Sequence, residues 1–243
     1  MKTAIFAGKL KDFLHFRFKP SIDLLVVLAS FLVMVVGLYT AWKTFTIASV
    51  WVPISMFILG IFVPIAYNSI VKTQLLSEMG ISKRYWLRSL AFGFVLSAIF
   101  LIVSHPPSSS PITFIAAVKV LTFTELLPLL ALEITAGLFW AIFFCGWVQM
   151  RFERAFGAIP AILIAAAFFA LHHIGYGESI SLSHMAPLFM GGIIISAIFR
   201  ITRNLLIVWP FFIATTGLAS DLMNWNLRLP FESTYIGILV FWH

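Results

Sequence analysis

The sequence predicts an all-α fold, a polytopic transmembrane helix bundle of about seven crossings plus a lateral or re-entrant helix. Three observations carry this. The residues AVILMFWYC make up 61% of the 243 positions and DEKR only 10%, against about 25% charged residues in a soluble domain. Apolar stretches of about 20 residues, long enough to cross a hydrocarbon layer roughly 30 Å thick as a helix, recur from Ile22 onward. Period-two alternation, the mark of a membrane barrel, is missing.

Residues 1–20 form a basic segment in which Lys2, Lys9, Lys11, Arg17 and Lys19 are separated by Phe and Leu. Such a pattern suits an anionic membrane surface. The apolar run from Ile22 to Thr40 is too long for a secretory signal and reads as an uncleaved first span. Further spans are expected at Ile47–Ala66, Trp86–Val103, Leu132–Met150, Ala158–His173, Met185–Phe199 and Leu205–Ser220. Two connectors, the turn-rich Ser104–Pro111 and the polar Gly175–Ser183, carry no Lys or Arg and belong outside. No internal repeat appears, so residues 21–243 read as one membrane domain.

Charge placement sets the topology. With the N-terminus cytoplasmic, the inside segments hold Lys2, Lys9, Lys11, Arg17, Lys19, Lys72, Lys83, Arg84, Arg88, Arg151, Arg154, Arg200 and Arg203, which is 13 of the 16 Lys and Arg. Lys43 and Arg228 fall outside. This is the bias of the positive-inside rule. It also requires Pro111–Leu130, with Pro128, Lys119 and Glu125, to be lateral or re-entrant, since one more crossing there would put Arg151 and Arg154 on the wrong side. Trp42, Trp51, Trp86, Trp209 and Trp225 lie near span ends, at the expected headgroup level. The expected location is a prokaryotic cytoplasmic membrane, with the lipid bilayer as the first partner.

The net charge of +7 does not indicate nucleic acid, because the cations sit in short clusters between apolar runs. Cys145 is the only cysteine, which excludes an intramolecular disulfide and a Cys-based zinc site. Zinc held by His and carboxylate ligands stays open, but no His-Glu-x-x-His spacing supports it. No metal ligand is assigned.

Ionisable residues inside a bilayer cost at least about 2.5–3.5 kcal/mol each and are functional candidates by default. Glu133, His172 and His173 are the candidates here. Glu133 lies 21 residues before Arg154 and His173 lies 19 after it, so on antiparallel helices their depths agree within a few Å. A hydrogen-bonded or water-bridged cluster is expected. His184 reads as a loop residue, while Thr215, Thr216, Asp221 and Asn224 read as caps and interhelical hydrogen bonds.

The stretch Trp140-Ala-Ile-Phe-Phe-Cys-Gly-Trp-Val-Gln, then Arg151-Phe-Glu-Arg-Ala-Phe-Gly, then Phe169-Ala-Leu-His-His173-Ile-Gly-Tyr resembles the core of the CPBP (Abi) family, the CAAX-protease and bacteriocin-processing membrane proteins. Upstream, Ser77-Glu-Met-Gly-Ile-Ser-Lys-Arg-Tyr-Trp resembles the lead into their third span. The likeness runs from about Leu75 to Asp221 and is specific from Trp140 to Tyr176. It implies an intramembrane endopeptidase in which a Glu-Glu-x-x-x-Arg motif activates water, a Phe-x-x-x-His motif follows on the next helix, and a His-x-x-x-Asn or similar motif comes later. Phe169 and His173 match the second motif. In the first, Trp140 and Ala141 stand at the glutamate positions and Cys145 at the arginine position. The third is absent from Pro210-Phe-Phe-Ile-Ala-Thr-Thr-Gly-Leu-Ala-Ser-Asp.

Water attack on an amide needs a positioned base and stabilisation of the oxyanion, and Trp and Ala supply neither. The leading expectation is therefore a non-catalytic homologue, a pseudoenzyme that binds a protein, peptide or lipid partner in the cavity the family uses for catalysis. One alternative is an active endopeptidase with a relocated site at Glu133 and His173 or His172, and another is a small transporter or membrane-complex subunit. Two halves with matching broken spans, which a transporter suggests, are not evident.

Overall fold

A computed structural model describes residues 13–44, 48–73, 76–81, 85–104, 131, 134–176 and 180–215. Every regular element among them is helical. Helix α1 is Ile22–Thr44. Helix α2 begins α-helical at Ala48–Ser55, widens to π-type turns over Met56–Phe62, tightens at Val63–Ala66 and widens again over Tyr67–Val71. A 3-10 turn at Leu76–Met79 precedes α3, Trp86–Ser104. Helix α4 is Ile134–Phe156, with a π-type stretch at Ala141–Gln149. Helix α5 is Ala158–His172, prolonged by a 3-10 turn at His173–Tyr176. Helices α6, Leu182–Thr202, and α7, Leu205–Thr215, complete the described chain.

Five of these segments are long and apolar enough to cross a membrane: Ile22–Ala41, Pro53–Val71, Ile134–Phe156, Ala158–Gly175 and Leu182–Thr202. A shorter apolar helix, Trp86–Ile99, lies within α3, which packs along α7. The helices run further than the apolar periodicity predicts, with α2 reaching Val71, α4 reaching Phe156 and α6 starting at Leu182. Polar residues near the ends explain the extension: Tyr67 bonds Asp23, and Arg151 bonds Asn68, so the backbone continues helical past the apolar run. The early start of α6 places His184 inside that helix, where its backbone N–H is capped by Ser181 Oγ. The lateral segment expected at Pro111–Leu130 lies outside the described residues, as do Glu133, Thr216, Asp221 and Asn224.

All nine residues from Ala141 to Gln149 are buried. A surface helix exposes one face at every turn, so nine consecutive buried positions mean that α4 is enclosed on all sides. Its wide-turn stretch touches α2, α5, α6, α7 and the Leu76–Met79 turn. Around it, α1 buries Leu24, Val27, Met34, Leu38 and Ala41 and exposes Leu25, Leu28, Leu32, Val33 and Val36. Apolar side chains on both faces fit a helix with protein on one side and lipid on the other.

The chain turns from α4 into α5 at Gly157, whose φ of +92° lies in the left-handed region that L side chains rarely adopt. Across this turn the N-terminal segment is pinned by backbone bonds from Arg17 N–H to Phe156 O at 3.1 Å and from Lys19 N–H to Ala155 O at 2.9 Å. The same end of the bundle carries Lys72 on Asp23 at 2.8 Å, Arg154 on Glu78 at 2.7 Å, and Glu153 shared by Arg200 and Arg203. The basic segments grouped together by the charge bias thus converge at one end, hereafter the basic end.

Helices α5 and α6 approach closely where Gly192 faces Ala166, and a Cβ on Gly192 would sit 2.8 Å from Ala166 Cα. Gly191, beside it, has nothing within 4 Å of its own Cβ position. Gly192→Ala is therefore expected to destabilise by about 1–3 kcal/mol through overpacking, and Gly191→Ala to leave stability level or raise it by up to about 1 kcal/mol. Thermal unfolding followed by a thiol-reactive dye at the single, buried Cys145 separates the two. Equal effects would refute the close helix contact.

Candidate functional site

Trp140 projects from the first turns of α4, His172 and His173 from the last turn of α5, and Phe212 from α7. They meet in the interior, where Trp140, Ala141, Phe144, Cys145, Phe169, His172, His173 and Phe212 are all buried. The Trp140 indole N–H donates to His172 Nε2 at 2.9 Å. His172 Nδ1 and His173 Nδ1 both bond the carbonyl of Phe169, the latter at 2.9 Å.

Those partners fix the protonation pattern. A carbonyl can only accept, so both Nδ1 atoms carry hydrogen; an indole can only donate, so His172 Nε2 offers its lone pair. His172 is thus the neutral Nδ1–H tautomer with both nitrogens committed. The two imidazoles lie 4.1 Å apart, centroid to centroid. Around them, Phe144 is 4.8 Å from His172, while Phe169 and Phe212 each lie 5.6 Å from Trp140. The arrangement is an aromatic plug with one hydrogen-bonded chain running through it.

The structure brings three of the five motif positions, Trp140, Phe169 and His173, into mutual contact, with His172 and Phe212 packed among them. Ala141 and Cys145 lie on the π-type stretch of α4, 0% and 1% exposed, and offer no charge. Glu133 lies outside the described residues. His172, rather than the motif histidine His173, receives the Trp140 bond. Phe212 was not foreseen, since a phenylalanine in an apolar run gives no signal of what it faces.

A catalytic zinc site needs about three protein ligands with lone pairs to give. His172 has none left, and among the described residues no three His, Cys, Asp or Glu side chains come together.

Residues 122–216 match the family model described as type II CAAX prenyl endopeptidase, Rce1-like. The matched stretch contains the whole aromatic plug. No curated protein and no solved structure matches the chain.

Trp140→Phe keeps a ring in place but removes the donor, leaving His172 Nε2 buried without it. An unsatisfied buried acceptor costs about 1–3 kcal/mol, so the substitution is expected to lower the unfolding midpoint seen through Cys145. Adding His172→Phe should recover part of the loss. Strict additivity of the two changes would show that the indole and imidazole do not interact.

Proposed function

Starting from a membrane protein of the Rce1-like CAAX-protease family, matched over residues 122–216, we propose that this chain is a non-catalytic member that binds a protein, peptide or lipid partner within the bilayer. The observation that carries the proposal is the Trp140–His172 hydrogen bond. Where the family resemblance calls for a water-activating glutamate, an indole donates into an imidazole and occupies its lone pair. Neither motif position offers water a carboxylate, since one is the Trp140 indole and the other the methyl group of Ala141. Because rings from Trp140, Phe144, Phe169 and Phe212 fill the position, we place partner binding on the outer faces of the bundle rather than at the motif residues.

The orientation that goes with this role has the basic end in the cytoplasm. Convergence of Arg17, Lys19, Lys72, Arg151, Arg154, Arg200 and Arg203 at one end supports it, because such clusters are retained inside. In a Cys145-free background, a cysteine at Ser109 is expected to react with an impermeant reagent from outside. Reaction only from the cytoplasmic side would invert the assignment.

Purified protein is expected to leave CAAX-type and other membrane-anchored peptides uncleaved. General-base assistance is worth about 10²–10⁴-fold and oxyanion stabilisation a comparable factor, so losing both leaves no useful rate on an amide. Restoring Trp140→Glu, Ala141→Glu and Cys145→Arg together should remain silent, since catalytic groups act as a unit and no His follows on α7 among Leu205–Thr215. Cleavage by the unaltered protein that Glu133→Gln or His173→Ala abolishes would instead establish a relocated hydrolase site.

A further inference from the structure

The cations of the basic end are matched unevenly. Lys72 has Asp23, Arg154 has Glu78, and Arg200 and Arg203 share Glu153. Arg151 is only 2% exposed, yet it is hydrogen-bonded to a neutral amide, with Nη2 donating to Asn68 Oδ1 at 2.7 Å. Its guanidinium lies 4.5 Å over the Trp147 ring. The Nε and Nη1 atoms, three N–H bonds in all, have no acceptor among the described residues. Among these five cations Arg151 is the most deeply buried, and it has no ion-paired carboxylate among the described residues. A buried guanidinium in that state is costly until an anion meets it.

Its surroundings point to the kind of anion. Tyr67 and Asn68 are adjacent on α2; Tyr67 bonds Asp23 and Asn68 bonds Arg151, so the guanidinium adjoins the Lys72–Asp23 pair. That pair is 30% and 21% exposed and so reaches the surface. Arg151 is five residues from the end of α4 at Phe156, roughly 7–8 Å along the axis, which is the depth of a phospholipid headgroup. Nearby, Leu14, Phe16 and Phe18 are exposed and alternate with His15, Arg17 and Lys19 on the segment pinned across the α4 end. Apolar and basic side chains in alternation suit the boundary between acyl chains and an acidic headgroup layer.

We propose that Arg151 and Lys72 bind the phosphate of an acidic phospholipid between α1, α2 and α4 at the basic end. A planar guanidinium pairs well with phosphate oxygens, and basic pockets between transmembrane helices are a recurrent form of headgroup site. Lys72 then divides its charge between the phosphate and Asp23, while the phosphate accepts from the Nε and Nη1 of Arg151, which have no acceptor among the described residues. Trp147 holds the guanidinium plane, and Ser30 on α1 holds Trp147 through a bond from the indole N–H at 3.0 Å. The site is separate from the Trp140–His172 plug and does not depend on whether that plug is catalytic.

The test uses the full chain purified in neutral detergent, titrated with phosphatidylglycerol, phosphatidylcholine or inorganic phosphate while unfolding is followed through Cys145. Phosphatidylglycerol alone is expected to raise Tm saturably and to remain as an adduct in native mass spectrometry. Arg151→Gln should abolish the shift, Lys72→Gln should weaken the apparent affinity about tenfold, and Arg154→Gln, whose residue is 42% exposed, should leave it unchanged. Should Arg151→Gln fail to fold, adduct retention by the unaltered protein against Lys72→Gln decides. An equal shift from phosphatidylcholine or from inorganic phosphate overturns the proposal. So does a phosphatidylglycerol response that persists in Lys72→Gln at full affinity, or a short anionic peptide that displaces the adduct more effectively than lipid does.

Discussion

A central helix enclosed on every side, in a solvent that accepts no hydrogen bonds, is the constraint on which this architecture rests. Helix α4 buries nine consecutive residues, so the polar side chains it carries inward turn to protein for partners. Trp140 finds His172, Trp147 finds Ser30, the Gln149 side-chain amide finds the carbonyl of Ser196, and Arg151 finds Asn68. These bonds reach α5, α1, α6 and α2 in turn, and together they fix where the surrounding helices stand. Apolar packing alone gives weak discrimination here, because lipid is as apolar as a leucine side chain.

The same helix separates two chemistries along its length. Toward its start lies the aromatic plug, neutral and closed, where two imidazoles share the carbonyl of Phe169 and an indole caps one of them. Toward its end lies a charged layer in which Asp23, Glu78 and Glu153 each hold at least one cation. A peptidase of the resembling family needs charge at the first place. Along Ile134–Phe156 the charged residues, Arg151, Glu153 and Arg154, all lie at the second, and the plug contributes packing between α4, α5 and α7. The indole donor satisfies His172 within that packing.

Much of this is legible in the sequence. Apolar runs located the helices, because a helix that crosses lipid has to be apolar over its length, and charge bias grouped the segments that converge at the basic end. The motif comparison singled out Trp140, Ala141, Cys145, Phe169 and His173 as one locality. What stayed hidden was which side chain meets which. Neither the Trp140 bond to His172 rather than His173, nor the approach of Phe212 from α7, follows from spacing along separate helices. The π-type widening at Ala141–Gln149 has no sequence signature either, as no proline or glycine pair demands it within that stretch beyond Gly146. Arg151 read only as a topology charge, although Asn68 in an apolar run was a signal that some buried donor required it.

The central claim is that the motif position is sealed by a direct bond between Trp140 and His172. In ¹⁵N-labelled protein in micelles, scalar coupling across the hydrogen bond between Trp140 Nε1 and His172 Nε2 reports that contact without perturbing it. The account predicts a resolved coupling and an indole proton that persists after transfer to deuterated water. Absence of coupling together with immediate exchange of the indole proton would place water at the motif position and contradict the account.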